Sequence, residues 1–173
     1  MTHAADLPRA MRDLAAFVGF GDDDAGRVRR TAPLVLAHEA EITTALYEHF
    51  LQHPETARFF LLEDGTPDLP RIERRKHSLG RWLRETAEAV TGGNSAYYLL
   101  TIGLSHSHRT WGQGGAVPAD FMVGAMSLTQ SALAGLFAAN LPPADALAAS
   151  TAWNKLLLVQ LSVLLQGYLR RPA

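Results

Sequence analysis

Apolar residues recur along this chain at intervals of three and four positions, and polar residues fill the positions between them. This spacing places the apolar side chains on one face of a helix, whereas strict alternation would place them on one face of a strand. No segment alternates over a useful length. The pattern therefore predicts an all-α protein of seven to eight helices, which we interpret as a single domain over residues 1–173.

Glycine and proline divide the pattern into its helices. The first helix is expected over residues 7–18, and a short second helix over 22–30 starts with three aspartates. Thr31 and Pro33 are predicted to open a long helix to residue 52, because proline is favoured at a first helical position. An aromatic turn after Pro54 precedes a helix over residues 68–91. Further helices are expected over 97–112, 118–140 and 144–169.

The amino-acid composition excludes several classes of function and of binding site. The 173 residues carry a formal net charge of −1 and no cysteine. The balanced charge argues against a nucleic-acid-binding surface, and the lack of cysteine excludes disulfides, zinc fingers, iron–sulfur clusters and covalently attached haem. The N-terminus does not resemble a signal peptide, and the most apolar run, residues 156–165, is too short to span a membrane. We expect a soluble, cytoplasmic protein with no membrane insertion.

Two histidines, His106 and His108, lie in the predicted helix over residues 97–112. Because a helix turns roughly 100° per residue, they point to nearly opposite faces and do not form a two-histidine metal site. Each could simply be a core or surface histidine. A single imidazole on a wall of apolar helices would also suit haem, whose iron needs one axial nitrogen and a flat apolar slot. Phosphate-binding glycine loops and hydrolase or metalloprotease motifs are absent.

Large apolar side chains are available to line such a slot, although the same residue types form any helical core. Ile102 shares a helical face with His106 and would stand beside it. The other candidates are Phe50, Phe59, Phe60, Leu79, Leu83, Phe121, Met122, Met126, Trp153 and Leu157.

Three segments resemble the sensor-globin and protoglobin lineage, the globin domains of bacterial globin-coupled sensors. They are FVGFGDDDAGRVRRTAPLV, ITTALYEHFLQHPE and IGLSH, in that order along the chain. The resemblance implies a globin-like fold with an extra N-terminal helix around non-covalently bound haem b. It implies His106 as the proximal iron ligand and Tyr47 as the distal tyrosine. His108 is the alternative ligand, since the residues after His106 depart from the family pattern.

The sequence leaves open the hydrogen-bond partner of His106 and the placement of His77. Ser105 or a carbonyl one turn earlier is expected to hold the second ring nitrogen of His106. His77 either faces the distal side as a second ligand or gate, or faces solvent, since it follows Arg74, Arg75 and Lys76 in the basic half of its helix. The other histidines, His3, His38, His49 and His53, are expected at the surface.

The function implied by the resemblance is reversible binding of dioxygen, carbon monoxide or nitric oxide at ferrous haem, for gas sensing. Family members usually join this domain to an output module, so the chain is expected to be either a single-domain version, with a separate output protein, or an excised sensor domain. A homodimer through the last two helices is also expected. Two alternatives belong to other classes. One is a haem enzyme with nitric oxide dioxygenase or peroxidase activity, and the other is a haem-free helical interaction domain.

Overall fold

A computed structural model describes residues 6–109 and 114–169. Over these ranges the chain forms eight α-helices and no strand, which confirms the predicted all-α class. The helices are α1 (Leu7–Phe17), α2 (Asp22–Ala37), α3 (Glu39–Gln52), α4 (Pro54–Ala57), α5 (Leu69–Ala87), α6 (Asn94–His108), α7 (Ala119–Asn140) and α8 (Pro143–Leu169), with a 3₁₀ turn at Arg58–Phe60. An isolated bridge joins Leu61 to Pro67 before α5.

The predicted boundary between the second and third helices is wrong. Pro33 lies inside α2, which continues to Ala37, and α3 begins only after His38. The hydroxyl of Thr31 donates to the carbonyl oxygen of Arg27 at 2.8 Å, inside the same helix, and therefore does not cap a new one. Packing explains the continuation, since Val28 and Val35 on either side of the proline are fully buried.

Helix α8 is the centre of the fold. It packs most extensively against α6 and α7, and it also contacts α1 and α2. Trp153, Leu156 and Leu157 on this helix are buried. The indole N–H of Trp153 donates to the hydroxyl of Thr31 at 2.8 Å. Trp153 and Leu157 therefore serve as core residues between helices.

The crossing of α6 and α8 brings the two main chains into contact. A Cβ atom added to Gly167 would lie 2.5 Å from the carbonyl carbon of Gly103. A Cβ atom added to Gly103 would overlap the main chain of Leu164. Glycine at both positions is what allows this approach, and it fixes α6 directly on α8 one turn before His106.

A buried polar contact ties α5 to α8. The side-chain oxygen of Gln160 accepts from the indole N–H of Trp82 at 2.9 Å and from the hydroxyl of Thr86 at 3.1 Å. All three residues are buried, where an unpaired polar group would be costly. The contact therefore sets the position of α5 relative to the central helix.

By length and composition alone, α7 and α8 are each apolar enough to cross a membrane, which the prediction from residues 156–165 did not capture. Within the fold, 56% of the apolar window of α8 and 22% of that of α7 is buried. Core helices meet the same criterion, so this finding is weak support for membrane insertion.

Candidate functional site

Helices α5 and α6 face each other across a cavity of about 500 Å³. This volume lies within the range of pockets that hold small molecules and cofactors, roughly 300–1,000 Å³. Aromatic and aliphatic side chains make up most of the wall. They are Leu46, Tyr47, Phe50, Phe59, Phe60, Leu79, Trp82, Tyr98, Ile102, Val117, Phe121, Met122, Ala125, Met126 and Leu164.

The structure brings most of the candidate site residues together in this cavity, but Leu83, Trp153 and Leu157 lie in the core instead. Those that line it are Tyr47, Phe50, Phe60, Leu79, Ile102, His106, Phe121, Met122 and Met126. Leu83 is instead fully buried in the core, and Trp82 beside it supplies the wall. The apolar stripe of α5 is wide enough to serve both surfaces, so helical spacing alone did not separate the two residues.

The ring of His106 is held by its own helix. Its Nδ1 lies 2.8 Å from the carbonyl oxygen of Ile102, one turn earlier. A carbonyl oxygen only accepts, so Nδ1 carries the proton and donates. Of the two partners that the sequence left open, Ser105 or a carbonyl one turn earlier, the carbonyl forms the bond.

The environment keeps His106 neutral. Burial lowers its pKa, the hydrogen bond to Ile102 opposes this shift, and the positive charge of Arg75 adds to it. A neutral ring with its proton on Nδ1 has its lone pair on Nε2. That nitrogen has the electronic state which a metal ligand requires.

The side chain of His108 makes different contacts from that of His106. Its Nδ1 lies 2.6 Å from the hydroxyl of Ser107, which also lies 3.2 Å from the carbonyl oxygen of Gly167 on α8. It does not line the cavity. Helix α6 ends at His108 and Arg109 has an extended backbone, so the helix predicted to residue 112 ends earlier than expected; residues 110–112 of that prediction lie outside the described residues.

Tyr47 lies in the aromatic part of the wall, contributed by α3 and the 3₁₀ turn. Its ring centroid is 5.6 Å from that of Phe50 and 5.3 Å from that of Phe60, both in edge-to-face geometry. Burial raises the pKa of Tyr47, although the nearby charge of Arg75 opposes the shift. The phenol therefore stays protonated and keeps an O–H donor at physiological pH.

Polar residues also line the cavity. Arg75 lines it in a half-buried position, and the exposed residues His77, Ser78 and Arg81 follow on the same helix. The guanidinium of Arg81 lies 5.5 Å from the ring centroid of Tyr98, on α6. His77 thus combines both placements considered for it, at the cavity edge and exposed to solvent.

Sequence reasoning missed Arg75 as a cavity residue by assigning it to a basic, solvent-facing half of the helix. The helical spacing of Arg75 does indicate its position in the cavity wall. Arg75 follows Ile72 by three residues and precedes Leu79 by four, which places it on the apolar face of α5.

The side chains that could bind a metal in this cavity suit the metal of a prosthetic group better than a bare metal ion. Across the described ranges, no group of three or more His, Asp or Glu side chains converges to hold a metal. A porphyrin supplies four nitrogens by itself, so that its iron needs only one imidazole from the protein. His106 on a largely apolar wall fits that requirement.

The comparisons agree with this geometry. The family model described as Protoglobin matches residues 7–172. The solved globin domain of a Geobacter sulfurreducens globin-coupled sensor is similar to this chain, with a TM-score of 0.77 and 22% identity over 93% of this chain and 98% of that chain. At that identity the likeness shows the fold alone, and it confirms the predicted globin-like fold. No curated protein sequence matches the chain closely.

Proposed function

The chain belongs to the protoglobin family, and from that premise we propose that it forms a globin domain that binds haem b. We propose that it reversibly binds a diatomic gas (dioxygen, carbon monoxide or nitric oxide) at ferrous haem for gas sensing. The observation that carries the proposal is the neutral imidazole of His106, anchored to Ile102 on the wall of a large apolar cavity.

In this proposal His106 would hold the iron of the bound haem through Nε2. Its Nδ1–H bond to Ile102 fixes the ring plane and maintains the tautomer that leaves the Nε2 lone pair for the iron. When bound, haem would supply an iron centre with an open position for a gas molecule. The absence of cysteine makes non-covalent attachment the consistent mode. The apolar wall would exclude water from a porphyrin bound in this cavity.

Tyr47 supplies the polar group on the gas side in this proposal. Its phenol stays protonated because of burial, and its ring packs edge-to-face against both Phe50 and Phe60. An O–H donor in an apolar pocket stabilises a ligand that carries partial negative charge, and stabilises an uncharged ligand less. Tyr47 would therefore favour dioxygen over carbon monoxide.

We test haem binding by absorption spectroscopy of the reconstituted ferric and ferrous protein. His106→Ala should lose or strongly alter the Soret band, and added imidazole should restore it. His108→Ala should leave the band unchanged. If His108→Ala is the damaging change, the ligand assignment is wrong while haem binding stands. If the unmodified protein takes up no haem, the proposal fails and a haem-free helical interaction domain replaces it.

The same spectra test whether His77 is a second axial ligand. A six-coordinate ferric protein that becomes high-spin in His77→Ala would assign it that role. An unchanged spectrum would leave His77 as an exposed residue at the cavity edge.

We further propose a homodimer through α7 and α8 that acts on a separate output protein. Large apolar side chains on these helices are exposed, with Val123 at 47%, Leu147 at 70% and Leu158 at 46% of their surface. Sedimentation velocity of Val123→Glu and Leu158→Glu, compared with Leu69→Glu at the exposed start of α5, tests the dimer. Dissociation in the first two variants alone supports it, and a monomeric unmodified protein contradicts it.

A further inference from the structure

Two histidines meet at the end of α3, outside the cavity. His49 lies in the last turn of α3, and His53 is the residue directly after its end. Their ring centroids are 4.5 Å apart, with an angle of 51° between the ring planes. His49 is half-buried and His53 is exposed. Neither residue lines the cavity, so this contact is separate from the site around His106.

The spacing of the two histidines suits a metal ion. Histidines at positions i and i+4 lie on one face of a helix, and helical zinc motifs present two imidazoles to one ion in this way. Two imidazoles bound to one zinc ion at about 2.0–2.1 Å, at octahedral to tetrahedral angles, would have ring centroids roughly 4.5–5.3 Å apart. The observed separation of 4.5 Å falls at the lower end of that range. The rings therefore already have the separation that a shared ion requires.

The main chain around His53 is fixed by the start of α4. Its carbonyl oxygen accepts from the main-chain N–H groups of Thr56 and Ala57, at 3.0 and 2.8 Å. The hydroxyl of Thr56 also donates to the carbonyl oxygen of Phe50 at 2.6 Å, in the last turn of α3. The backbone that carries the two histidines is therefore held in place before an ion binds, which lowers the entropic cost of binding.

The position of the pair on the helix favours a cation. The C-terminal end of a helix carries partial negative charge from its unpaired carbonyl groups and stabilises positive charge nearby. His49 and His53 lie at this end of the 14-residue α3. Imidazole is a preferred ligand of zinc, whereas magnesium and calcium prefer oxygen. The ligand type therefore favours zinc over magnesium or calcium.

We propose that His49 and His53 bind one zinc ion, whose remaining coordination positions are filled by water. Within the described ranges, no third His, Asp or Glu side chain converges on this pair. A structural zinc site is closed by four protein ligands, whereas this site keeps open positions, as sites that admit water or a further ligand do. Because His53 is also the N-cap residue of α4, bound zinc would stabilise the junction between α3 and α4.

Isothermal titration calorimetry of the full chain without an affinity tag, with zinc chloride as the titrant, tests the site. We expect saturable binding at micromolar zinc. His49→Gln and His53→Gln should each weaken it about tenfold or more, since loss of even an outer-shell partner of a bound metal costs 10–100-fold in affinity. Magnesium chloride should give no binding, because magnesium prefers oxygen ligands. Haem-loaded and haem-free protein should respond alike, since neither histidine lines the cavity.

Nuclear magnetic resonance of histidine side chains labelled with nitrogen-15 gives a readout specific to each ring. Zinc should shift the ring signals of His49 and His53, which the two variants assign. His38→Gln is the matched control, because His38 lies 2.9 Å from the carboxylate of Glu41 and not against a second histidine. It should bind zinc as the unmodified protein does. Circular dichroism spectra of the variants guard against an effect of unfolding.

Several outcomes would overturn the proposed site. They are no zinc binding by the unmodified protein, full affinity in His49→Gln or His53→Gln, an equal loss in His38→Gln, and equal binding of magnesium. Half an ion per chain, together with zinc-dependent dimerisation in sedimentation velocity, would place the ion between two copies of the chain and refute coordination completed by water.

Discussion

The indole N–H of Trp82 donates to the side-chain oxygen of Gln160 across 2.9 Å and joins the cavity wall to the central helix. The hydroxyl of Thr86 approaches the same oxygen and also donates to the carbonyl oxygen of Trp82 at 2.7 Å. Every member of this contact is buried. The wall of the cavity therefore depends on a polar bond inside the core as well as on apolar packing.

Replacing Gln160 by leucine should reduce the free energy of unfolding by about 1–3 kcal/mol, the usual cost of a buried donor left without an acceptor. Urea denaturation of the haem-free protein measures the effect. Gln166→Leu makes the same change at an exposed position on α8 and should have little effect. Equal losses in the two variants would show that the contact contributes nothing specific.

Alanine at Gly103 should destabilise the protein by about 1–3 kcal/mol, as overpacking of a core does, because its Cβ meets the main chain of Leu164. Gly135→Ala is the contrast, since no atom lies within 4 Å of its added Cβ on α7. It should stabilise by up to about 1 kcal/mol through helix propensity. Thermal unfolding of both variants measures the difference, and the same sign of change in both would contradict this account of the crossing.

Acidification should destabilise the haem-free protein through His106. Burial, opposed by the Ile102 carbonyl and assisted by Arg75, holds the pKa of His106 below the ordinary value of 6.5. As the pH falls below 6.5, the unfolded state takes up this proton and the folded state does not until a lower pH. The free energy of unfolding therefore falls with pH across this window.

The variant His106→Gln cannot titrate at this position and should show a shallower fall in stability between about pH 7 and pH 5. Urea denaturation at several pH values measures both slopes. His53→Gln makes the same change at an exposed position and should follow the unmodified protein. A slope in His106→Gln as steep as in the unmodified protein would show that other groups carry the pH dependence.

Tyr47→Phe should accelerate release of dioxygen by roughly three- to tenfold, as expected for loss of one hydrogen bond of about 0.5–1.5 kcal/mol. Release of carbon monoxide should change less. Stopped-flow displacement measures both rates. Tyr97→Phe removes a hydroxyl from a half-exposed tyrosine on α6 and serves as the control. Unchanged dioxygen release in Tyr47→Phe would remove the tyrosine from the proposed gas-binding role.

Helical periodicity was sufficient to predict the class of the fold and the bounds of the first helix and of the last two. The helix predicted over residues 68–91 ends already at Ala87, and the one predicted over 97–112 spans Asn94–His108. The prediction failed at Pro33, because burial of Val28 and Val35 keeps α2 helical through a residue that on local preference should begin a helix. Local sequence signals do not report how strongly a segment packs against distant helices, and α8 supplies that packing here.

The cavity wall could largely be predicted, because its residues share the apolar faces of their helices and because the family resemblance selected Tyr47 and His106. The positions of charged residues and of glycines were harder to predict from the sequence. Arg75 was treated as a surface cation although its spacing places it on an apolar face. The contact between Gly103 and Gly167 joins residues far apart in the chain, and nothing local to either glycine indicates that they meet.

That contact has a mechanical consequence. Where side chains separate two helices, a small displacement of one is absorbed by changes of rotamer in the layer between them. At the crossing of α6 and α8 there is no such layer, because the main chains of Gly103 and Gly167 touch. A displacement of the turn that carries His106 therefore either displaces the last turns of α8 as well or separates the two helices at the crossing. The crossing couples the position of His106 to the C-terminal end of α8.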